Sequence, residues 1–250
     1  MKKLIHFFWF QGVKEIPDKF KANVRRWAEL NPGYKIRLWD YDKVSQLIDA
    51  HYPCYRDLFH GMYGTTSKAR LIKQCDLARL LIVHQHGGCY FDLDLIPVTS
   101  IDGFLDSPVV FNRLIPRTRT LPKSPSMDEC RKRERDIILS REHCMIDTVG
   151  HGVANGVILT KKQDDFWLEF IEAQKECNNG RVLDFVGTHA LTRYLRAHLA
   201  RMKGKIACMP PHYFLWEENA FDHPHPDYTV SIHPAENSWG DHTQKLWWLV

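Results

Sequence analysis

The stretch "HGGCYFDLDLIPVTSID", residues 86 to 102, decides the fold: two glycines, a short apolar run, then Asp92 and Asp94 one residue apart. Gly87 and Gly88 suit a tight turn out of a helix, because glycine enters left-handed backbone without steric penalty. Cys89 to Phe91 read as a short buried strand and Ile96 to Ile101 as its exit, which places both acids at the carboxyl edge of a sheet. Ligands of open α/β sheets bind at that edge. On extended chain, residues i and i+2 point to the same side, so two carboxylates there present several oxygens to one point. That concentration of charge is costly without a cation. Hard oxygen donors suit magnesium, manganese or calcium rather than zinc, and an incomplete protein cage leaves positions for water and substrate phosphates. An EF-hand is excluded, since its glycine and its twelfth-position glutamate are missing. A DxD alone is a weak signal, and its context gives it weight.

Upstream, residues from about Ser67 to Gln85 form the best helix of the chain, capped by Thr66 or Ser67 and stopped by the two glycines. Leu71, Ile72, Cys75, Ala78 and Ile82 make its apolar stripe. Asp76 and Arg79 stand three residues apart, on one face, and can reach a common ligand; the ordinary alternative is an ion pair on a solvated surface. Nearer the N-terminus, residues 3 to 10 read as a strand, "PDKFKANVRRWAELNP" as a helix, "YKIRLWD" as a strand and 42 to 49 as a short helix. Downstream come strands at "SPVVFNR" and 152 to 160, helices at 164 to 177 and 187 to 201, and a late strand at "YTVSIHP". Between them, residues 113 to 148 are rich in Arg, Lys, Pro and Ser and read as a loop or lid. The alternation predicts one α/β domain over residues 1 to 250, a Rossmann-like α/β/α sandwich with a mostly parallel central sheet.

Composition narrows the function. A chain of 250 residues with 44% hydrophobic residues buries a sizeable core. The balance of 34 basic and 30 acidic residues, net +4, calls for no nucleic acid partner. No apolar run of about 20 residues occurs, so the expectation is a protein without an integral membrane segment, cytoplasmic or peripheral to a membrane. Seven scattered cysteines, none in a CxxC pair, read as reduced thiols.

The segment "CDLARLLIVHQHGGCYFDLDL" resembles the signature of glycosyltransferase family 32, whose members carry a DxD-containing sugar-binding region; fungal outer-chain mannosyltransferases and, distantly, glucosylating bacterial toxins are relatives. "IHFFWFQG" and "NPGYKIRLWD" are similar to its opening strands, and "NGVILT", "VGTHALTRYL" and "SIHPAENSW" to its later blocks. The resemblance implies a GT-A type fold and transfer of a sugar, with retention, from a UDP- or GDP-sugar to a glycan, lipid-linked sugar or protein acceptor. It implies that Asp92 and Asp94 hold Mn2+ or Mg2+ on the donor diphosphate, with His233 or Ser238 completing the metal shell. It further implies that Asp76 and Arg79 contact the donor sugar and its phosphates, that Trp9 stacks on the base, and that Tyr90, Asn155 and Trp239 line the donor site. Two features depart from the family: Thr188 stands where proline is common after the glycine, and the basic insertion at 113 to 148 lies outside the pattern.

Duller fates exist for some of these residues: a tryptophan in a first strand packs in a core, and a lone histidine is usually satisfied. One rival is a haloacid-dehalogenase-type phosphatase, with Asp92 as nucleophile; it needs a downstream lysine and a second acidic pair at a strand end, whereas Asp164 and Asp165 stand where a helix begins. Another is a nucleotide-sugar-binding protein without turnover.

Overall fold

Strand β1 (Leu4–Phe8) is buried along its whole length, and helix α1 (Asp18–Leu30), strand β2 (Lys35–Trp39) and helix α2 (Tyr41–His51) follow it in the order the alternation predicts. These come from a computed structural model that describes residues 1–61, 67–105, 109–113, 153–175, 184–202, 206–209, 214 and 229–233. A short helix α3 (Arg56–His60), not foreseen, precedes the long helix α4 (Ser67–His86). Strand β3 (Gly88–Phe91) leads to β4 (Ile96–Pro97) and β5 (Val109–Arg113). Strand β6 (Val153–Thr160) and helices α5 (Phe166–Gln174), α6 (Thr188–Ala197) and α7 (Leu199–Met202) come next. The last described strands are β7 (Ile206–Met209) and β8 (Ser231–Ile232).

The main sheet has the order β2-β1-β3-β6-β5-β7. All its strands run one way except β6, which is antiparallel to both neighbours. The central sheet is therefore mostly parallel, as the alternation predicts. The late strand expected at "YTVSIHP" is shorter and does not join it: β8 pairs with β4 in a separate antiparallel ribbon. Strand β7 was not legible, because its four residues show no alternation. Period-two alternation feeds two cores. Phe8 and Tyr90 pack among α2, α4, α5 and α6, whereas Ile5, Phe7, Cys89 and Phe91 pack with Phe20 and Trp27 of α1. Helices thus cover both faces of the sheet.

Helix α4 departs from the one-stripe expectation. Every residue from Lys73 to Val83 is buried, because α4 lies on the sheet and is itself covered by α2, α3 and α5. Its exit needs both glycines. Gly87 and Gly88 adopt φ values of 64° and 99°. A Cβ on Gly87 would lie 2.5 Å from the Lys162 nitrogen and one on Gly88 2.6 Å from the Leu4 carbonyl. Cys75 and Cys89 are buried free thiols, and burial pushes both above their ordinary range, which makes them inert. Among the described residues no helix is long and apolar enough to cross a membrane.

His6 ties this frame together. It is buried on β1, its Nδ1 accepts from the Trp39 indole at 3.1 Å and its Nε2 lies 3.0 Å from the Gly87 carbonyl. The first contact requires an unprotonated Nδ1, so Nε2 carries the proton and the ring is neutral. Burial lowers its pKa from 6.5 to about 4. The folded value lies below the unfolded one, so this ring's contribution is complete above pH 6.5 and lost as pH falls toward 4. In urea titrations across that range, stability is expected to fall with pH, and His6→Gln is expected to lower stability at pH 7 while flattening the slope. An unchanged slope in the variant would remove His6 from this role.

Candidate active site

The DxD segment hangs from the end of β3 and is fixed from two directions. The Asp92 amide donates to the Gly156 carbonyl at 2.9 Å, continuing the ladder to β6. Helix α1 holds the next residues: Asn23 Nδ2 donates to the Leu93 carbonyl at 2.9 Å and the Trp27 indole to that of Leu95 at 3.3 Å. The Trp27 ring also stacks on Phe91, with centroids 4.1 Å apart. The two acids are not on extended chain. The Leu95 amide donates to the Asp92 carbonyl at 3.2 Å, so the segment turns directly after the strand, and the same-side argument does not carry over.

Arg79 of α4 organises the charges. Its Nη2 lies 3.2 Å from Asp76 Oδ1 and its Nη1 3.1 Å from Asp92 Oδ1. Nη1 also donates to the Asn155 carbonyl at 2.9 Å, and the guanidinium lies 5.1 Å from the centre of the Tyr90 ring. The side chains of Asp76 and Arg79 are each only 4% exposed, so the pair is not on a solvated surface, whereas that of Asp92 is 23% exposed. Tyr90 Oη donates to Asp92 Oδ1 at 3.1 Å and Asn155 Nδ2 to Asp76 Oδ1 at 2.9 Å. Burial raises Asp76 to about 6 against the pull of Arg79 and Asn155. Burial also raises Asp92, opposed by Arg79 and reinforced by the Asp94 charge. The two carboxylates flanking Arg79 raise its pKa despite burial.

Asp94 is buried, and its Oδ2 lies 3.4 Å from His233 Nε2. Its Oδ1 has no hydrogen-bond partner among the described residues, nor do Asp76 Oδ2 and Arg79 Nε. Among those residues no three His, Cys, Asp or Glu side chains form a cluster able to hold a metal ion. Asp92 is held by Arg79 and Tyr90, and Asp94 lies against His233.

Of the residues singled out in the sequence, the structure brings Asp76, Arg79, Tyr90, Asp92 and Asn155 into one network and sets Asp94 and His233 beside it. Trp9 is partly buried after β1, with its ring edge-on to Phe20 at 5.8 Å. Ser238, Trp239 and nearly all of the 113 to 148 segment lie outside the described residues. Gly156 was missed. A Cβ there would meet Asp92 Oδ2 at 2.5 Å, a closeness that nothing in "NGVILT" signals. A surface cavity of about 760 Å³ lies apart from the acids, between Gln11–Glu15 and Ile36, Leu38, Asp40 and Lys43.

The family model described as "Glycosyltransferase sugar-binding region containing DXD motif" matches residues 17–120. Among curated proteins, the chain is 29% identical over 103 residues to an uncharacterised glycosyltransferase of Acanthamoeba polyphaga mimivirus, covering 41% of this chain and 39% of that protein. It is 28% identical over 114 residues to inositol phosphoceramide mannosyltransferase 3 of Schizosaccharomyces pombe, covering 46% of this chain and 30% of that one. The chain thus spans well under half the length of these curated relatives. A solved glycosyltransferase involved in glycosylation of the major capsid of PBCV-1 superposes with a TM-score of 0.52, at 12% identity, over 96% of this chain and 95% of that one. The PaToxG glycosyltransferase also gives 0.52, at 15% identity, over 81% and 71%. The fold is accordingly that of the GT-A glycosyltransferases.

Removing the central cation leaves two carboxylates desolvated without compensation, at a cost of roughly 3–5 kcal/mol. Arg79→Met is therefore expected to lose about that much stability in urea at pH 7. Burial already raises Asp76 to about 6 in wild type against the pull of Arg79, so with the cation gone the folded state holds that proton more tightly still, and the deficit relative to wild type shrinks by pH 5. A deficit independent of pH would contradict the charge argument.

Proposed function

We propose that this chain, whose residues 17–120 carry the DXD-containing sugar-binding region of glycosyltransferases, moves a hexosyl group, with retention, from a nucleotide-diphosphate sugar to an acceptor. One observation carries the reading: a buried Asp76–Arg79–Asp92 network at the carboxyl end of β3, beside an Asp94 oxygen that is dry and unpartnered among the described residues. A carboxylate oxygen can only accept, and desolvating it without a partner is costly, so it suits a cation supplied with the ligand. The donor set fits a divalent ion whose shell would need donor phosphates and further ligands, Ser238 among the candidates from the sequence. Asp94 and His233 would hold it, with Asp92 at its margin. Such an ion would neutralise the charge that develops on the departing diphosphate.

The chain's own residues do the rest. Arg79, kept cationic by two flanking carboxylates, holds Asp76 and Asp92 in fixed positions that need no reorganisation when a ligand enters. Asp76 Oδ2 and Arg79 Nε offer a buried acceptor and a buried donor for sugar hydroxyls. Tyr90 and Arg79 hold Asp92 by hydrogen bonding and charge, which suits orientation of a ligand and not nucleophilic attack. Asp164, which the phosphatase reading would need at the site, instead accepts from the Phe166 amide at the start of α5. Transfer of mannose, as in the name of the fission yeast relative, is the first donor chemistry to try, and the basic 113–148 segment is a candidate acceptor element.

Nucleotide release from a panel of UDP- and GDP-sugars, GDP-mannose included, is the deciding measurement, with and without manganese. Metal-dependent release from one donor is expected, and Asp94→Asn is expected to lower it by about 100-fold or more with an unchanged thermal midpoint. Full activity in that variant would overturn the metal assignment. Donor binding without any release would leave a binding protein.

A further inference from the structure

Helix α6 is clipped to β6 at two points. Thr192 Oγ1 accepts from the Val153 amide at 2.9 Å and donates to the Thr188 carbonyl at 2.7 Å. Thr188 Oγ1 donates to Asn155 Oδ1 at 3.1 Å. The partners are two residues apart on the strand and four apart on the helix, which matches a rise of about 6.8 Å along a strand to about 6 Å along a helix. The second clip ends on the charged network, because Asn155 donates in turn to Asp76.

We propose that Thr188 is a positioning residue for the donor-sugar site: its hydroxyl fixes the side-chain amide of Asn155, and that amide fixes the Asp76 carboxylate. The inference rests on the transferase reading above and extends it to a residue with no contact to the charges. The direction of each hydrogen bond follows from donor chemistry. Asp76 Oδ1 already accepts from Arg79 Nη2 at 3.2 Å, so it turns lone pairs toward its neighbours. Asn155 must therefore present its NH2 group to Asp76, and its Oδ1 must face the other way. That oxygen is met by the Thr188 hydroxyl, which can only be the donor there. All three side chains are buried, so water cannot readily replace the contact.

Without the hydroxyl, Asn155 Oδ1 becomes a buried acceptor with nothing to receive, and the amide is free to rotate. Rotation by half a turn brings oxygen against oxygen at Asp76 and displaces its second oxygen, the one left for ligand.

The test is the KM of the donor in the nucleotide-release assay, read beside the thermal midpoint. Thr188→Val is expected to raise KM about tenfold while kcat changes by less than about threefold. Thr188→Ala, which removes the hydroxyl without adding bulk, is expected to give the same shift, and Thr188→Ser to restore the wild-type KM. Thr192→Val cuts the other clip and is expected to lower the thermal midpoint with KM within about twofold of wild type. A Thr188→Val enzyme with wild-type KM would overturn the proposal, as would equal impairment in Thr188→Ser. A loss confined to kcat would report only a smaller folded fraction, and a KM shift as large in Thr192→Val would assign the effect to helix placement; either outcome overturns it. A wild-type protein that releases nucleotide from no donor defeats the transferase reading itself, whereas an active wild type with an indifferent Thr188→Val defeats this inference alone.

Discussion

A single guanidinium held dry between two carboxylates is the constraint around which this protein is arranged. Arg79 takes Asp76 on one side and Asp92 on the other, inside a helix that is buried all round. Bringing three charges out of water costs several kcal/mol each, and their mutual attraction offsets that only when geometry and remaining hydrogen bonds are good. Here the offset is incomplete. Asp76 is raised to about 6, and polar atoms on Asp76, Arg79 and Asp94 lack partners among the described residues. A protein core avoids such loose ends, whereas a site that exchanges them for ligand contacts requires them.

The surrounding fold supplies rigidity where the charges need it. The glycine turn lets α4 and β3 run back to back, so Arg79 and Asp92 meet although 13 residues separate them. Helix α1 then holds the residues after Asp92 by their carbonyls, through Asn23 and Trp27, and leaves the acidic side chains unencumbered from that side. Backbone anchoring of this kind fixes where the loop lies without consuming the groups that would meet a ligand.

Much of this was legible in the chain. The strand–helix alternation, the glycine stop and the DxD at a strand end follow from local chemistry, and the structure has each of them. What failed to show depends on partners distant in sequence. The face of α4 that bears Asp76 and Arg79 looks solvated, because the residues covering it come from other helices and from β6. Gly156 reads as an ordinary strand glycine until Asp92 is seen against it. The antiparallel course of β6 is likewise invisible, since its run of apolar residues suits either direction when both faces are covered. Thr188 could be noticed only as an oddity, because its partner lies 33 residues away.

The place of β6 in the middle of the sheet also sets an order of events. On the emerging chain, β1, β2, β3 and α4 are complete by residue 91, yet Asn155 and Gly156, which close the network, are 76 and 77 residues beyond Arg79 and 63 and 64 beyond Asp92. Until β6 inserts between β3 and β5, the arginine and its acids remain hydrated, and one side of β3 is an open edge able to pair with any passing strand. Desolvation of the charges and closure of the sheet are thus one late step, which waits on chain from residue 91 to residue 153 and is slow for that reason. A ribosome stalled before residue 153 would present half a sheet with its charges already assembled and still wet.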